Sequence, residues 1–145
     1  MKSKTMFLLT IMLSLVVNIA GAKANSRLTL EITGLRNGQG FVLVSVFGNS
    51  AGFPGSSEKA IRKEKAFIKD GKAVVVFDLL PEGIYAIAVL HDENENLKMD
   101  TRALILPGEG YGFSKDARGK FGPPTFKHAS FRHEGEQRLS IKMRY

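Results

Sequence analysis

The sequence of 145 residues contains no cysteine. The protein therefore has no disulfide bond and no cysteine to which a lipid anchor could be attached. A chain without disulfide bonds must take its stability from its hydrophobic core and from any ion that it binds.

Recognisable motifs of catalysis are also absent. The glycine-rich segment GEGYG, residues 108–112, precedes no predicted helix and no Gly-Lys-Ser/Thr, so it is not a phosphate-binding loop. No nucleophile-elbow pattern surrounds either serine that a hydrolase triad could use. We therefore expect a non-enzymatic protein without catalytic residues. The residues whose types occur in such a triad, and which we do not expect to be catalytic, are His91, His128, His133, Ser114, Ser130 and Asp116.

Long hydrophobic runs are absent except near residue 1. The basic start MKSK precedes the apolar run TMFLLTIMLSLVV, and small residues follow at positions 20–24. This order is typical of a secretory signal peptide. The run is shorter than the roughly 20 residues of a membrane-spanning helix, so we predict cleavage after residue 22 or residue 24. The mature protein is then periplasmic or extracellular, without stable membrane insertion.

Basic residues are in excess but are not clustered. The formal net charge is +7, and loss of residues 1–22, which include Lys2 and Lys4, lowers it by two to +5. The other basic residues are scattered between Lys23 and Arg144, so nucleic acid is not an expected partner. Weak, salt-sensitive attraction to anionic polymers of the cell envelope is expected instead.

Alternation of apolar and polar residues dominates the mature chain. Residues 28–35 and 41–48 alternate in this way, and the Asn37-Gly38 turn between them predicts a hairpin. Asp70-Gly71 predicts a second hairpin. Six or seven short strands with little helix predict an all-β fold, a single antiparallel β-sandwich over residues 28–145.

Residues 84–90 predict the central strand of this sandwich, because both faces of the strand are apolar. His91 ends that strand, and we expect a partly buried histidine that binds a loop oxygen rather than a metal. Residues 138–145 predict a last strand with one core face and one solvent face.

The segment HDENENLKMD, residues 91–100, places oxygen-bearing groups on alternate residues directly after the central strand. Asp92, Asn94, Asn96, Lys98 and Asp100 match the first, third, fifth, seventh and ninth places of a calcium-binding loop, with Lys98 contributing its main-chain carbonyl. Oxygen ligands without cysteine favour Ca²⁺ over zinc or copper. Few of them are charged, so we predict a weak site with a Kd on the order of 10⁻⁴ to 10⁻³ M.

Two positions differ from the usual calcium loop. Leu97 occupies the sixth place, where glycine is usual, and Ala103 occupies the twelfth, where a bidentate glutamate is usual. The alternative is a polar turn in which Asp and Asn side chains bind the backbone, and the spacing favours both equally. Further oxygens for an ion could come from Glu93, Glu95, Glu109 or Asp116.

A second candidate site lies in the long irregular stretch from residue 101 to residue 137. Its aromatic residues predict an ordered loop that packs on the sandwich. It is either a cover over an open edge or end of the sheet, or a binding surface for a protein or a glycan of the cell envelope. The residues of the candidate surface are Tyr111, Phe113, Phe121, Pro123, Pro124 and Phe126.

Two strings carry a resemblance to a known family. LPEGIYAIAVLHDENENLKMD and PGEGYGFSKDARGKFGPPTFKHASF resemble the DUF2141 family of exported bacterial proteins, whose function is uncharacterised, and the resemblance covers about residues 28–145. It implies a β-sandwich of the transthyretin-like, immunoglobulin-like or carboxypeptidase-regulatory kind, and it brings no catalytic residue. The chain departs from the family pattern at Glu95 and Leu97, where glycine usually follows each asparagine of the loop.

Three functions are compatible with these observations. The leading one is a non-enzymatic exported module in which residues 92–100 bind Ca²⁺ and order the aromatic loop, which binds an envelope protein or glycan. The second is a metal-independent structural or binding module. The third, which the missing motifs disfavour, is a hydrolase of envelope polymers. No sequence feature indicates an oligomeric state.

Overall fold

The computed structural model of the protein describes residues 26–102 and 106–145, and the predicted signal peptide, residues 1–22, lies outside them. No helix in the described ranges has the length and apolar character that crossing a bilayer requires. The strands are β1 Arg27–Thr33, β2 Phe41–Phe47, β3 Arg62–Ala66, β4 Ala73–Asp78, β5 Gly83–Asp92, β6 Thr101–Arg102, β7 Leu106–Pro107, β8 Gly110–Phe113, β9 Phe131–His133 and β10 Glu136–Lys142. The helical elements are 3-10 turns at Ser57–Lys59 and Ser114–Asp116 and the helix α1, Phe126–Ala129.

The strands form a sandwich of two sheets, which confirms the predicted all-β fold. One sheet has the order β10-β1-β4. The other has the order β3-β2-β5-β8, with β9 pairing to the start of β5. β6 and β7 form a separate two-stranded ribbon. The central position predicted for β5 is confirmed. The pairing of β1 with β10 is parallel, however, whereas the sequence predicted an antiparallel sandwich.

The hairpin predicted for residues 28–48 is wrong. β1 and β2 occupy the predicted positions, but β1 pairs with β4 and β10, while β2 pairs with β3 and β5. Both strands point a wholly apolar face into the same core from opposite sheets, and burying these faces across the core outweighs the local turn signal. The core residues on these faces are Leu28, Leu30 and Ile32 of β1, and Val42, Val44 and Val46 of β2.

The second predicted turn forms, but its strands also separate. Lys69 and Lys72 pair across Asp70-Gly71, as a tight turn requires. β3 then runs along the edge of one sheet and β4 along the edge of the other. The exposed charges of β3, from Arg62 to Lys65, discourage another chain from pairing with that edge.

A buried histidine fixes the end of the chain against the end of β5. His91 is fully buried, and its Nε2 lies 2.8 Å from the carbonyl oxygen of Gln39. A carbonyl oxygen only accepts, so Nε2 carries a proton, and Nδ1 lies 2.6 Å from the Tyr145 hydroxyl oxygen. The expected bond to a loop oxygen is confirmed, but the ring is fully buried rather than partly buried. A Cβ at Gly110 would overlap the Tyr145 ring, so glycine is required there.

We predict that Tyr145→Phe lowers the free energy of unfolding by about 1 to 3 kcal/mol. The variant leaves Nδ1 of the fully buried His91 without its hydrogen-bond partner, and an unsatisfied buried polar atom costs about that much. Urea denaturation followed by circular dichroism measures the change. The matched control is Tyr111→Phe, which removes a hydroxyl from a half-buried ring and should cost less than about 0.5 kcal/mol. Equal losses for the two variants would show that the hydroxyl of Tyr145 has no special role.

Candidate functional site

The candidate calcium loop begins at a buried carboxylate. Asp92 is the last residue of β5 and has no exposed surface. Its Oδ1 accepts the backbone N–H of Asn96 at 3.1 Å, and its Oδ2 accepts that of Leu97 at 2.8 Å. The chain therefore curls back around this side chain as soon as it leaves the sheet.

Asp100 closes the loop by accepting from both asparagines. Asn94 Nδ2 donates to Asp100 Oδ2 at 2.6 Å, and Asn96 Nδ2 donates to Asp100 Oδ1 at 2.9 Å. The amide oxygens of the two asparagines accept the backbone N–H groups of Asn96 and Lys98. The structure thus brings Asp92, Asn94, Asn96 and Asp100 into one compact loop, while the side chain of Lys98 is exposed.

Glu109 ties the two ends of the loop together. It is buried, with 4% of its surface exposed. Its Oε1 accepts the backbone N–H of Glu93 at 2.9 Å, and its Oε2 accepts that of Asp100 at 3.1 Å. Glu109 is thus one of the possible further ligands predicted from the sequence, and it binds the loop backbone. Two of the others do not: Glu95 is exposed, and Asp116 accepts from the backbone of Lys142 elsewhere.

Glu93 is occupied by another partner. Its Oε1 accepts from Nε of Arg36 at 2.7 Å, and its Oε2 accepts from Nδ2 of Asn37 at 3.3 Å. Burial raises the pKa of Glu93, but the bonds from Arg36 and Asn37 outweigh burial and hold the pKa below its ordinary value. The Arg36 guanidinium also lies 4.4 Å from the centre of the Tyr145 ring, so this pair joins the loop to the His91 contact.

The backbone turns at the two positions where the family pattern has glycine. Glu95 has a φ of 61° and Leu97 a φ of 62°, both in the left-handed region. That conformation costs an ordinary residue roughly 1 to 2 kcal/mol relative to the right-handed one. The loop thus adopts a glycine-type turn with residues that resist it.

The six residues of the candidate binding surface do not share one face. Phe113 and Pro124 are buried and Phe126 is half-buried. They cover the outer face of the larger sheet, where the Phe53 ring lies 6.0 Å from that of Phe113 and 5.9 Å from that of Phe126. The residues that remain accessible are Tyr111, which is half-buried, and Pro123 and Phe121, which are exposed.

The triad-type residues have separate structural partners. Ser114 is buried, donates to the carbonyl of Ala129 at 2.6 Å and accepts the N–H of Ile87 at 2.9 Å. His128 is exposed, and His91 binds Tyr145. These residues form no catalytic unit in the part of the chain that the structure describes.

Sequence reasoning missed one serine–histidine contact. Ser26 Oγ lies 2.8 Å from Nε2 of the buried His133, and Gln137 Oε1 lies 3.0 Å from its Nδ1. The order resembles a hydrolase triad, but a neutral amide stands where a carboxylate would stabilise the imidazolium. The contact holds β9, β10 and the start of β1 together. A 107-residue separation leaves no local signal for it.

The comparison with protein families agrees with the resemblance that the two strings carry. The model of a family described as "Uncharacterized protein conserved in bacteria (DUF2141)" matches residues 30–141. No curated protein and no solved structure matches the chain. The transthyretin-like or immunoglobulin-like subtype of the sandwich therefore stays a prediction. The match spans both strings, the loop and all the core strands except the start of β1 and the last residue of β10, and the chain belongs to the DUF2141 family.

Proposed function

We propose that the protein is an exported, non-enzymatic β-sandwich module whose loop at residues 92–100 binds Ca²⁺ weakly. The bound ion orders the aromatic loop that follows, and that loop binds a protein or a glycan of the cell envelope. The observation that carries the proposal is the convergence of Asp92, Asn94, Asn96 and Asp100 in one loop, with Glu109 across its two ends.

The charge balance of this loop favours a cation. Asp92 and Glu109 are buried, and Asp100 is half-buried. Among the side chains that the structure describes, no basic group lies within 4 Å of these three carboxylates. Buried charges in proteins are usually paired or coordinate a metal. Backbone N–H groups neutralise these carboxylates only in part, so a divalent cation has a favourable place beside them.

The two asparagines offer the ion its neutral ligands. Each amide directs its Nδ2 at Asp100, and a half-turn of the amide exchanges its nitrogen and oxygen positions. An ion placed beside Asp100 would then bind both amide oxygens and the carboxylate. Asn94, Asn96 and Lys98 are exposed, so water can replace the backbone bonds that the amide oxygens give up.

Glu109 connects the ion to the rest of the molecule. It binds the backbone N–H of Asp100, and the N–H of Gly108 donates to the Asp100 carbonyl at 2.7 Å. Glu109 directly precedes β8, which carries Tyr111 and Phe113. An ion that holds Asp100 in place would therefore also hold the start of the aromatic segment.

A metal-independent module is the second candidate, and one observation favours it. Every buried side-chain nitrogen or oxygen of the described residues already has a hydrogen-bond partner. The loop is thus closed by its own bonds, as a polar turn would be. The two candidates differ in whether calcium adds stability.

We predict that calcium raises the melting temperature of the purified protein and that magnesium does not. For a Kd of about 0.5 mM and about 5 mM Ca²⁺, mass action adds about 1.4 kcal/mol, or roughly 4 to 8 °C. Differential scanning calorimetry with calcium, with magnesium and with a chelator measures the shift.

Two variants assign the shift to the loop. Asp100→Asn should abolish the calcium-dependent part of the shift, because it removes the charge next to both asparagine amides. Glu95→Gln removes the same charge from an exposed position that makes no bond in the loop, and should leave the shift unchanged. Identical melting in calcium and chelator would refute the ion site and leave the metal-independent module.

We also predict that Leu97→Gly stabilises the protein by about 0.5 to 1 kcal/mol without calcium. Glycine removes the left-handed strain at φ 62°, and part of this gain is lost to the greater freedom of glycine in the unfolded chain. Urea denaturation measures the gain. The control Met99→Gly lies in the same loop without a left-handed φ and should destabilise or change nothing. A loss of stability for Leu97→Gly would contradict the conformation of the loop.

A further inference from the structure

A small pocket lies between β8, the loop after it and Arg144, the second residue after β10. Its volume is about 170 Å³, and Tyr111, Phe113, Arg118, Gly119, Pro124 and Arg144 line it. Sites for drug-sized ligands are roughly 300 to 1,000 Å³. This pocket is therefore large enough for one chemical group of a larger ligand, but not for the whole ligand.

Two arginines, Arg118 and Arg144, line the pocket. Arg144 is held in place because Nη1 donates to the Ala117 carbonyl at 3.2 Å and Nη2 to the Asp116 carbonyl at 2.7 Å. A guanidinium has five N–H donors, so several remain for a ligand. Arg118 is exposed. No carboxylate of the described residues lies within 4 Å of either group.

The surrounding loop is basic. Residues 115–120, KDARGK, contain three basic residues and one acidic residue. That acidic residue, Asp116, uses Oδ1 to accept the backbone N–H of Lys142. The pocket therefore favours an anionic group. Arginine binds a planar carboxylate with two parallel hydrogen bonds, which distinguishes it from a lysine point charge.

An exposed aromatic ring lies on the same turn as two glycines that line the pocket. Phe121 is fully exposed and lies between Gly119 and Gly122, which both line the pocket. A Cβ at Gly119 would overlap the carbonyl oxygens of Gly122 and Pro123, so the chain is closed tightly on itself there. The ring is thus carried on a constrained turn and offers a flat apolar surface to a ligand.

The geometry points to this pocket as the binding site for the carboxylate of an acidic oligosaccharide, with Arg118 and Arg144 binding the carboxylate and Phe121 packing against the apolar face of a sugar ring. A carboxylated sugar combines the two features that the site presents, whereas a free phosphate uses only the charge. The inference rests on the proposed function for the location of such a ligand in the cell envelope. It names the ligand class of the aromatic loop and uses none of the residues of the ion loop.

The test is a titration of the protein with trigalacturonate, followed by amide chemical shifts in NMR spectra. Saturable shifts at residues 111–124 and at Arg144 are expected. A neutral trisaccharide of glucose tests the sugar alone, and inorganic phosphate and a triglutamate peptide test the charge alone. All three should bind at least about tenfold more weakly, because each lacks one of the two interactions.

Variants assign the binding to the pocket. Arg118→Gln should weaken trigalacturonate binding about five- to tenfold, and Phe121→Ala by a similar factor. Arg144→Lys keeps the charge but loses the paired hydrogen bonds, and should also weaken binding. The matched control Arg138→Gln removes one charge from an exposed position of β10 and should change the affinity less than about twofold.

Three results would overturn the inference. They are equal losses for Arg118→Gln and Arg138→Gln, equal binding of triglutamate or phosphate, and shifts outside the pocket. Repeating the titration in chelator separates the two proposals. Binding that persists there and depends on Arg118 upholds the pocket even where the ion site has failed. A calcium-dependent melting shift without pocket-dependent binding upholds only the ion site.

Discussion

The carboxylate of Asp92 is the contact on which the candidate site depends. It lies buried where the central strand ends, and its two oxygens hold the backbone of Asn96 and Leu97. Its own backbone lies so close to Gly40 that a Cβ at that residue would overlap it. Gly40 lies in the segment between β1 and β2, which connects the two sheets. Asp92 therefore contacts both this connecting segment and the start of the loop. A change at Asp92 would disturb both, which is why Asp100 is the better position for testing an ion.

This arrangement strains the backbone at two residues of the loop. Once the chain has curled around Asp92, Glu95 and Leu97 must take left-handed conformations that glycine would adopt more easily. Six hydrogen bonds hold the surrounding loop, two accepted by each of Asp92, Asp100 and Glu109. The proposed ion would have to replace the hydrogen bonds that the two asparagine side chains already make. We therefore expect weak binding for that reason as well as from the small number of charged ligands.

Local patterns predicted much of the fold, and long-range pairing explains what they missed. Apolar residues on both faces located β5 and alternation located β10, because both patterns depend only on neighbouring residues. The Asn37-Gly38 signal failed because turn chemistry does not determine which strands pair, and the apolar faces of β1 and β2 are buried from opposite sides of the core. In the loop, spacing grouped the four oxygen-bearing side chains. It could not identify the contact of His91 with Tyr145, 54 residues away, or the meeting of Arg118 with Arg144 at one pocket.

β8 gives the two proposed sites a physical connection. Glu109 precedes this strand and accepts hydrogen bonds from both ends of the candidate calcium loop. Two residues later, the backbone of Tyr111 exchanges hydrogen bonds of 2.9 Å with Arg144, which lines the pocket. One short strand thus connects the candidate ion ligands to the candidate carboxylate ligands. If calcium stiffens that strand, it lowers the entropy that the pocket loses on binding a glycan, and by thermodynamic linkage the glycan tightens calcium binding by the same factor.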